Sequence, residues 1–130
     1  MAPEARAAAI LALAGVLASP IFAARLMRPV AEQTKIDYLV GEVRKSPAIF
    51  LRNRREYPAS RAASHLATKV KFAGKRVQTA RDFVLGIASR SEETGKPYEI
   101  RWPNGKRQPL SEWLLERLEC YEKEHLPTTH

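Results

Sequence analysis

The chain has a single cysteine, Cys120, and so cannot close a disulfide within itself. It contains no CxxC pair and no Cys/His cluster at metal-ligand spacing, which argues against a zinc or iron–sulfur site. A lone thiol in the last helical pattern reads as a small apolar residue, with a reactive or intermolecular thiol as the alternative. No cofactor fingerprint is present. Gly95-Lys96 lacks the upstream glycine of a phosphate loop and does not open a helix. No serine stands in a GxSxG context, and Cys120 has no base partner in the pattern. Glu112, Glu116, Glu119, Glu122 and Glu124 follow helical spacing as a solvated face, and no two carboxylates are placed for acid/base work. Beyond residue 24 no apolar run reaches spanning length, and neither repeats nor low-complexity segments follow. The balance of these absences is against an enzyme.

What is there is positive charge. Lys and Arg number 22 against 14 Asp and Glu, a formal net charge of +8. Such a surface favours anionic partners: nucleic acid, acidic lipid headgroups, polyanionic envelope polymers or acidic proteins. Residues 1–23, MAPEARAAAILALAGVLASPIFA, bear on one of them, nucleic acid. Arg6 and the free amine make a short positive region, an alanine/leucine-rich apolar stretch follows, and Pro20 breaks it before small residues at Ala23 and Ala24. That is the layout of a secretory signal peptide, with a second cleavage point after Ala18. An uncleaved inner-membrane anchor over residues 7–24 is the competing expectation, although Gly15 and Pro20 interrupt the run. No lipobox cysteine is present, which excludes a lipoprotein. Export to the periplasm or beyond demotes nucleic acid, which returns as a partner only if the chain stays in the cytosol.

Residues 24–31 read as a flexible lead-in, 32–126 as one α+β domain with a single core, and 127–130 as a disordered tail. Ile36, Leu39, Val40 and Val43 set a helix over 32–45, with Thr34 as N-cap and Ser46-Pro47 as its stop. Residues 48–52 are a short apolar strand, and 53–58 a charged turn ending in Tyr-Pro. Ser60 caps a helix with Ala62, Ala63, Leu66, Ala67 and Val70 on one face, stopped by Gly74. Thr79 opens another, with Asp82 as capping-box partner and Ala80, Phe83, Val84, Ile87 and Ala88 inward. Residues 98–102 alternate as a half-buried strand, and Asn104-Gly105 turns into a return strand over 106–109. Ser111 caps the last helix, with Leu110, Leu114, Leu118 and Tyr121 inward. The fold class is α+β: a small antiparallel sheet, made of a short strand plus a C-terminal hairpin, packed against about four helices.

The ordered series Phe50, Arg52, Asn53, Tyr57, then Ala63-x-His65-Leu66-x-x-Lys69, then Gly74-x-Arg76-Val77-x-Thr79-Ala80-x-x-Phe83, then Thr94-Gly95-Lys96-Pro97-Tyr98 resembles the YfeK-like proteins. These are small exported bacterial proteins of unknown function. Ile36-Asp37-Tyr38-Leu39 and Glu112-Trp113-Leu114 extend the match over about 36–121. The resemblance implies a periplasmic location and a shared fold, and supplies no activity. Arg54 departs from it, standing where members often have glycine.

Candidate site residues lie in the middle of the chain. At about 100° per residue, Arg61, His65, Lys69 and Phe72 form one strip beside the apolar face of their helix. The strip suits a carboxylate or phosphate. Alternatively, His65 donates to a backbone carbonyl of the 52–57 turn while Lys69 is solvated. Arg52 offers a fork for bidentate anion binding. Asn53 beside it serves a left-handed turn or the ligand. Arg76 and Lys96 follow helix ends, where cations are favourable for dipole reasons alone. Trp102 and Trp113 are expected to pack between hairpin and final helix. The leading expectation is a monomeric binding module for an anionic envelope polymer, a lipid headgroup or an acidic protein. The alternative is a periplasmic enzyme or enzyme accessory using His65, Arg52 and Tyr57, and the third is a nucleic-acid binder.

Overall fold

The computed structural model describes residues 28–127. The expected signal segment, residues 1–23, with residues 24–27 of the expected lead-in and 128–130 of the expected tail, lies outside the described residues. Helix α1 (Val30–Lys45) opens at Val30, and its N-cap is Pro29 rather than Thr34. The fixed φ of proline presents the Pro29 carbonyl to the amides of Glu32 and Gln33, at 3.1 and 3.0 Å. Thr34, already inside the helix, bonds back to the Val30 carbonyl at 3.0 Å. The lead-in is held as well: the Arg28 guanidinium donates to the carbonyls of Val77 and Gly74. Ile36, Leu39 and Val43 are buried, and the helix stops before Ser46-Pro47 as the sequence requires.

Strand β1 (Ile49–Arg52) turns through Asn53 and Arg54 into strand β2 (Arg55–Pro58). The sequence made 53–58 a turn throughout. Two residues suffice, because both take positive φ, 50° and 68°, the mirror-image turn that matches strand twist. Pro58 then caps helix α2 (Ala59–Ala73), so Ser60 lies within the helix and is not its cap. Gly74, at φ 55°, ends it and leads through a 3₁₀ turn (Gly74–Arg76) to Thr79. There the expected capping box is present: the Thr79 hydroxyl accepts from the Asp82 amide at 2.9 Å, and Asp82 accepts from the Thr79 amide at 3.2 Å. The helix it opens is not regular. A single α turn, α3 (Ala80–Asp82), widens into a π segment (Phe83–Ile87) in which the Ala88 amide reaches the Phe83 carbonyl at 3.0 Å.

Strands β3 (Glu99–Arg101) and β4 (Arg107–Pro109) form the expected hairpin, with Gly105 at φ 88° in its turn. Pro109 caps helix α4 (Leu110–Glu124), displacing Ser111 from that role. The sheet order is β2-β1-β3-β4, all antiparallel, so the lone strand and hairpin of the sequence become two hairpins side by side. Each hairpin ends in a proline that starts a 15-residue helix, a repeat of architecture without repeat of sequence. The class remains α+β.

Helices cover one face of the sheet only. Phe50 and Ile100 face each other across β1 and β3 on that side and are 4% and 0% exposed. Leu39, Leu66, Phe83, Leu114 and Val84 complete the core, each large side chain worth roughly 1.5–3 kcal/mol on burial. Trp102 and Trp113 meet edge to face, 5.5 Å between centroids, between the second hairpin and α4 as expected. The other face of the sheet is open, bridged by Arg101–Glu56 at 2.6 Å and Arg107–Glu99 at 2.8 Å. Among the described residues no helix is long and apolar enough to cross a membrane.

Candidate functional site

Alternation along β1 places Arg52 on the same face as Phe50, the helix-covered side. Phe50 is enclosed; Arg52, at the sheet end, is 27% exposed. Tyr57 lies directly across from Phe50 on β2. Because β2 runs straight into α2, the first turns of that helix stand over the same strands. Ala62 and Leu66, four residues apart, turn to the core, while Arg61 and His65 follow one position round and reach the edge.

Between hairpin and helix lies a cleft of 260 Å³. Phe50, Ala62 and Leu66 make its apolar floor, Tyr57 and Tyr98 its aromatic walls, and Arg52, Arg61 and His65 its polar rim. The Arg61 guanidinium sits 6.0 Å from the Tyr57 ring centroid, a contact that holds the charge at the mouth. Lys69 stands behind Tyr98: its ammonium donates to the Tyr98 hydroxyl at 3.0 Å and to the Ile87 carbonyl at 3.5 Å. Lys69 is therefore engaged rather than solvated. No hydrogen bond from His65 to the 52–57 turn occurs among the described residues, so that role for the imidazole is not observed. Desolvation by the cleft, then the Arg52 and Lys69 cations, hold the His65 pKa below its ordinary value.

The Arg52 Nε is buried without an acceptor, and a terminal nitrogen of the same group lies 3.9 Å from the exposed Glu93 carboxylate. Glu99, also on the lining, is taken by Arg107. Cations thus outnumber uncommitted carboxylates at the mouth, which suits an anion whose apolar part enters the floor.

Asn53 does not enter the cleft. Its amide donates to the Ser91 hydroxyl at 3.1 Å and its carbonyl accepts from Thr94 at 2.6 Å, tying the first hairpin to the loop before β3. Asn53 and Lys96 instead line a shallower groove of 430 Å³ on the open face, with Arg52, Arg54, Arg101 and Arg107. Arg76 is apart from both; its Nε reaches the Ala73 carbonyl at 3.4 Å, the helix-end role. The structure therefore joins Arg52, Tyr57, Arg61 and His65, sets Lys69 behind them, and leaves Arg76 outside. Tyr98 and Arg54 are the members the sequence did not single out. Alternation over 98–102 already placed Tyr98 inward, but nothing local tells an enclosed tyrosine from one lining a cavity.

Fold and cleft define a small α+β domain with a cationic, aromatic-walled pocket between a hairpin and the helix that follows it. The chain belongs to a family of unknown function (DUF5329), which matches residues 30–122. It is 34% identical over 68 residues to "Uncharacterized protein YfeK" of Salmonella typhimurium, covering 52% of this chain and 57% of that protein's length. No solved structure matches the chain.

Proposed function

We propose that the domain is a binding module that takes an anionic group with an apolar body, presented by an envelope component or an acidic protein after export directed by residues 1–23. The observation that carries it is the convergence of Arg52, Arg61 and His65 on one cleft with an apolar floor. An arginine fork pairs with a carboxylate or phosphate, and a half-desolvated site strengthens that pairing over water. Titration of the full chain with hexanoate and with inorganic phosphate, followed by the His65 imidazole resonances, tests it. Saturable shifts are expected, with hexanoate ahead of phosphate because the floor is apolar. Arg61→Ala is expected to weaken hexanoate about tenfold, the worth of one charge-assisted bond. Absence of saturable shifts with both probes overturns the proposal. Export is tested separately by mass spectrometry of the N-terminus from fractionated cells; an intact Met1 in the cytosol removes it.

An enzyme or enzyme accessory using His65, Arg52 and Tyr57 is the second reading, and the cleft that joins those three is the observation in its favour. Against it, the lining holds no serine, threonine or cysteine, and no carboxylate orients the imidazole among the described residues. A hydrolase screen in which His65→Ala abolishes a turnover of the full chain establishes it; no turnover removes it.

A further inference from the structure

The cleft and the open-face groove share three lining residues, of which Arg52 is the one cation. Leu51, Arg52 and Glu99 line both. Arg52 is the last residue of β1, so its guanidinium sits at the sheet end, where the helix-covered face and the open face come together. On the cleft side the next cation is Arg61. On the groove side the next are Arg54 and Lys96, both exposed.

The remaining groove cations are already committed. Arg101 pairs with Glu56 at 2.6 Å and Arg107 with Glu99 at 2.8 Å. Arg54 and Lys96 have no ion-pair partner among the described residues, and Arg52 has only Glu93 at 3.9 Å. What is left among the lining cations is Arg61 on the cleft, Arg54 and Lys96 on the groove, and Arg52, which lines both. One anion in the cleft answers Arg61 and Arg52 and leaves the others facing solvent. Like charges repel, and these are relieved together only by an anion that reaches both cleft and groove.

We propose that the ligand carries two acidic groups on one flexible backbone. One is seated by Arg61 and Arg52 in the cleft, the other by Lys96 and Arg54 in the groove. Arg52 is shared, and the spacer crosses Leu51. The chemical class is a small dicarboxylate or its equivalent with an aliphatic middle. This rests on the anion-binding reading above and adds to it the number and placement of the acidic groups. Joining the second acid to the first makes its capture intramolecular, so affinity rises without any new contact in the cleft and peaks where the spacer matches the span.

The test pairs acids of equal chain length at low ionic strength, where exposed charges are least screened: hexanoate against adipate, and octanoate against suberate, titrated calorimetrically into the full chain. One diacid is expected to bind about tenfold or more tightly than its monoacid partner. Lys96→Ala is expected to bring that ratio near unity while leaving the monoacid unchanged, and Arg54→Ala to lower it. Arg76→Ala, which removes the same charge away from both sites, is expected to leave the ratio intact. Equal affinities for monoacid and diacid at both lengths overturn the two-anion site and leave the single-anion cleft standing. So does a ratio that falls as far with Arg76→Ala as with Lys96→Ala, since bulk charge alone then accounts for it. If neither hexanoate nor adipate binds, both proposals fall.

Discussion

Arg54 occupies a left-handed conformation, φ 68°, that a side chain with a Cβ enters at a cost of roughly 1–2 kcal/mol. In Arg54→Gly the strain disappears, partly offset by the greater freedom of the unfolded chain. Urea denaturation is expected to show a net gain of about 1 kcal/mol. The guanidinium lost with it lines the groove, so the strain coexists with a charge the two-anion proposal uses. Asn53 is the opposite case, since its side chain tolerates φ 50° and also holds Ser91 and Thr94. Asn53→Ala leaves the Ser91 hydroxyl, in a residue 1% exposed, without that partner. It is expected to cost about 2–3 kcal/mol in the same measurement. His65 adds a pH dependence. With its folded pKa below the ordinary 6.5, the unfolded chain binds more protons between the two values. The His65 contribution to stability is therefore complete above 6.5 and falls as pH drops through that window. Anion binding runs the other way, because the imidazolium adds a cation to the rim. Proton titration of the imidazole resonances is expected to give a midpoint below 6.5 in the unliganded chain and a higher one with hexanoate bound.

At the level of elements, the capping box is where sequence and structure agree most closely. Thr79 and Asp82 stand three apart before an apolar face, and no other local conformation uses both side chains so fully. Thr79→Ala is expected to cost about 1 kcal/mol, and Thr79→Ser close to nothing, in thermal or urea melts. The helix starts at Ala59 and Leu110 precede the serines that the sequence offers as caps, for one shared reason. Ser60 and Ser111 are good caps in isolation, but a proline fixed in extended geometry at each strand end already turns the chain into the helix. Strand β2 was invisible because it is an edge. Of Arg55, Glu56, Tyr57 and Pro58 only Tyr57 is not exposed, so no alternation survives to be read, and charges with a terminal proline are what an edge strand carries against mispairing. The π segment was invisible too: Phe83, Val84 and Ile87 lie inward in either helix type, and only the wider hydrogen bond distinguishes them.

At the scale of the molecule, half of the cleft was legible and half was not. Arg61, His65 and Lys69 share a strip because they share a helix, which periodicity reveals. Their meeting with Arg52 and Tyr57 depends on a hairpin whose second strand the sequence concealed. The two hairpin–helix units are joined by the β1–β3 pairing, by the Arg101–Glu56 and Lys69–Tyr98 contacts, by the π segment that packs on both α2 and α4, and by helix α1, which precedes both. Helix α1 packs on α2 and α4 together, places Lys35 3.0 Å from Glu122 and the Tyr38 ring 4.7 Å from that of Tyr121, and offers Glu32 to the Ala80 amide at 2.8 Å. Leu39 is wholly buried in α1, the helix that packs on both units. Leu39→Ala is expected to cost about 2–5 kcal/mol, the range for a buried leucine truncated to alanine. If α1 unites the halves, that loss falls on both at once. Both tryptophans, Trp102 and Trp113, lie in the second unit, so their fluorescence reports that unit alone, while far-ultraviolet circular dichroism reports every helix. The two urea transitions are expected to coincide in the wild type and still to coincide, at lower denaturant, in Leu39→Ala. Circular dichroism falling ahead of fluorescence in the variant would mean that α1 supports the first unit only, and that the second is held by the sheet pairing and by the π segment packed on α4.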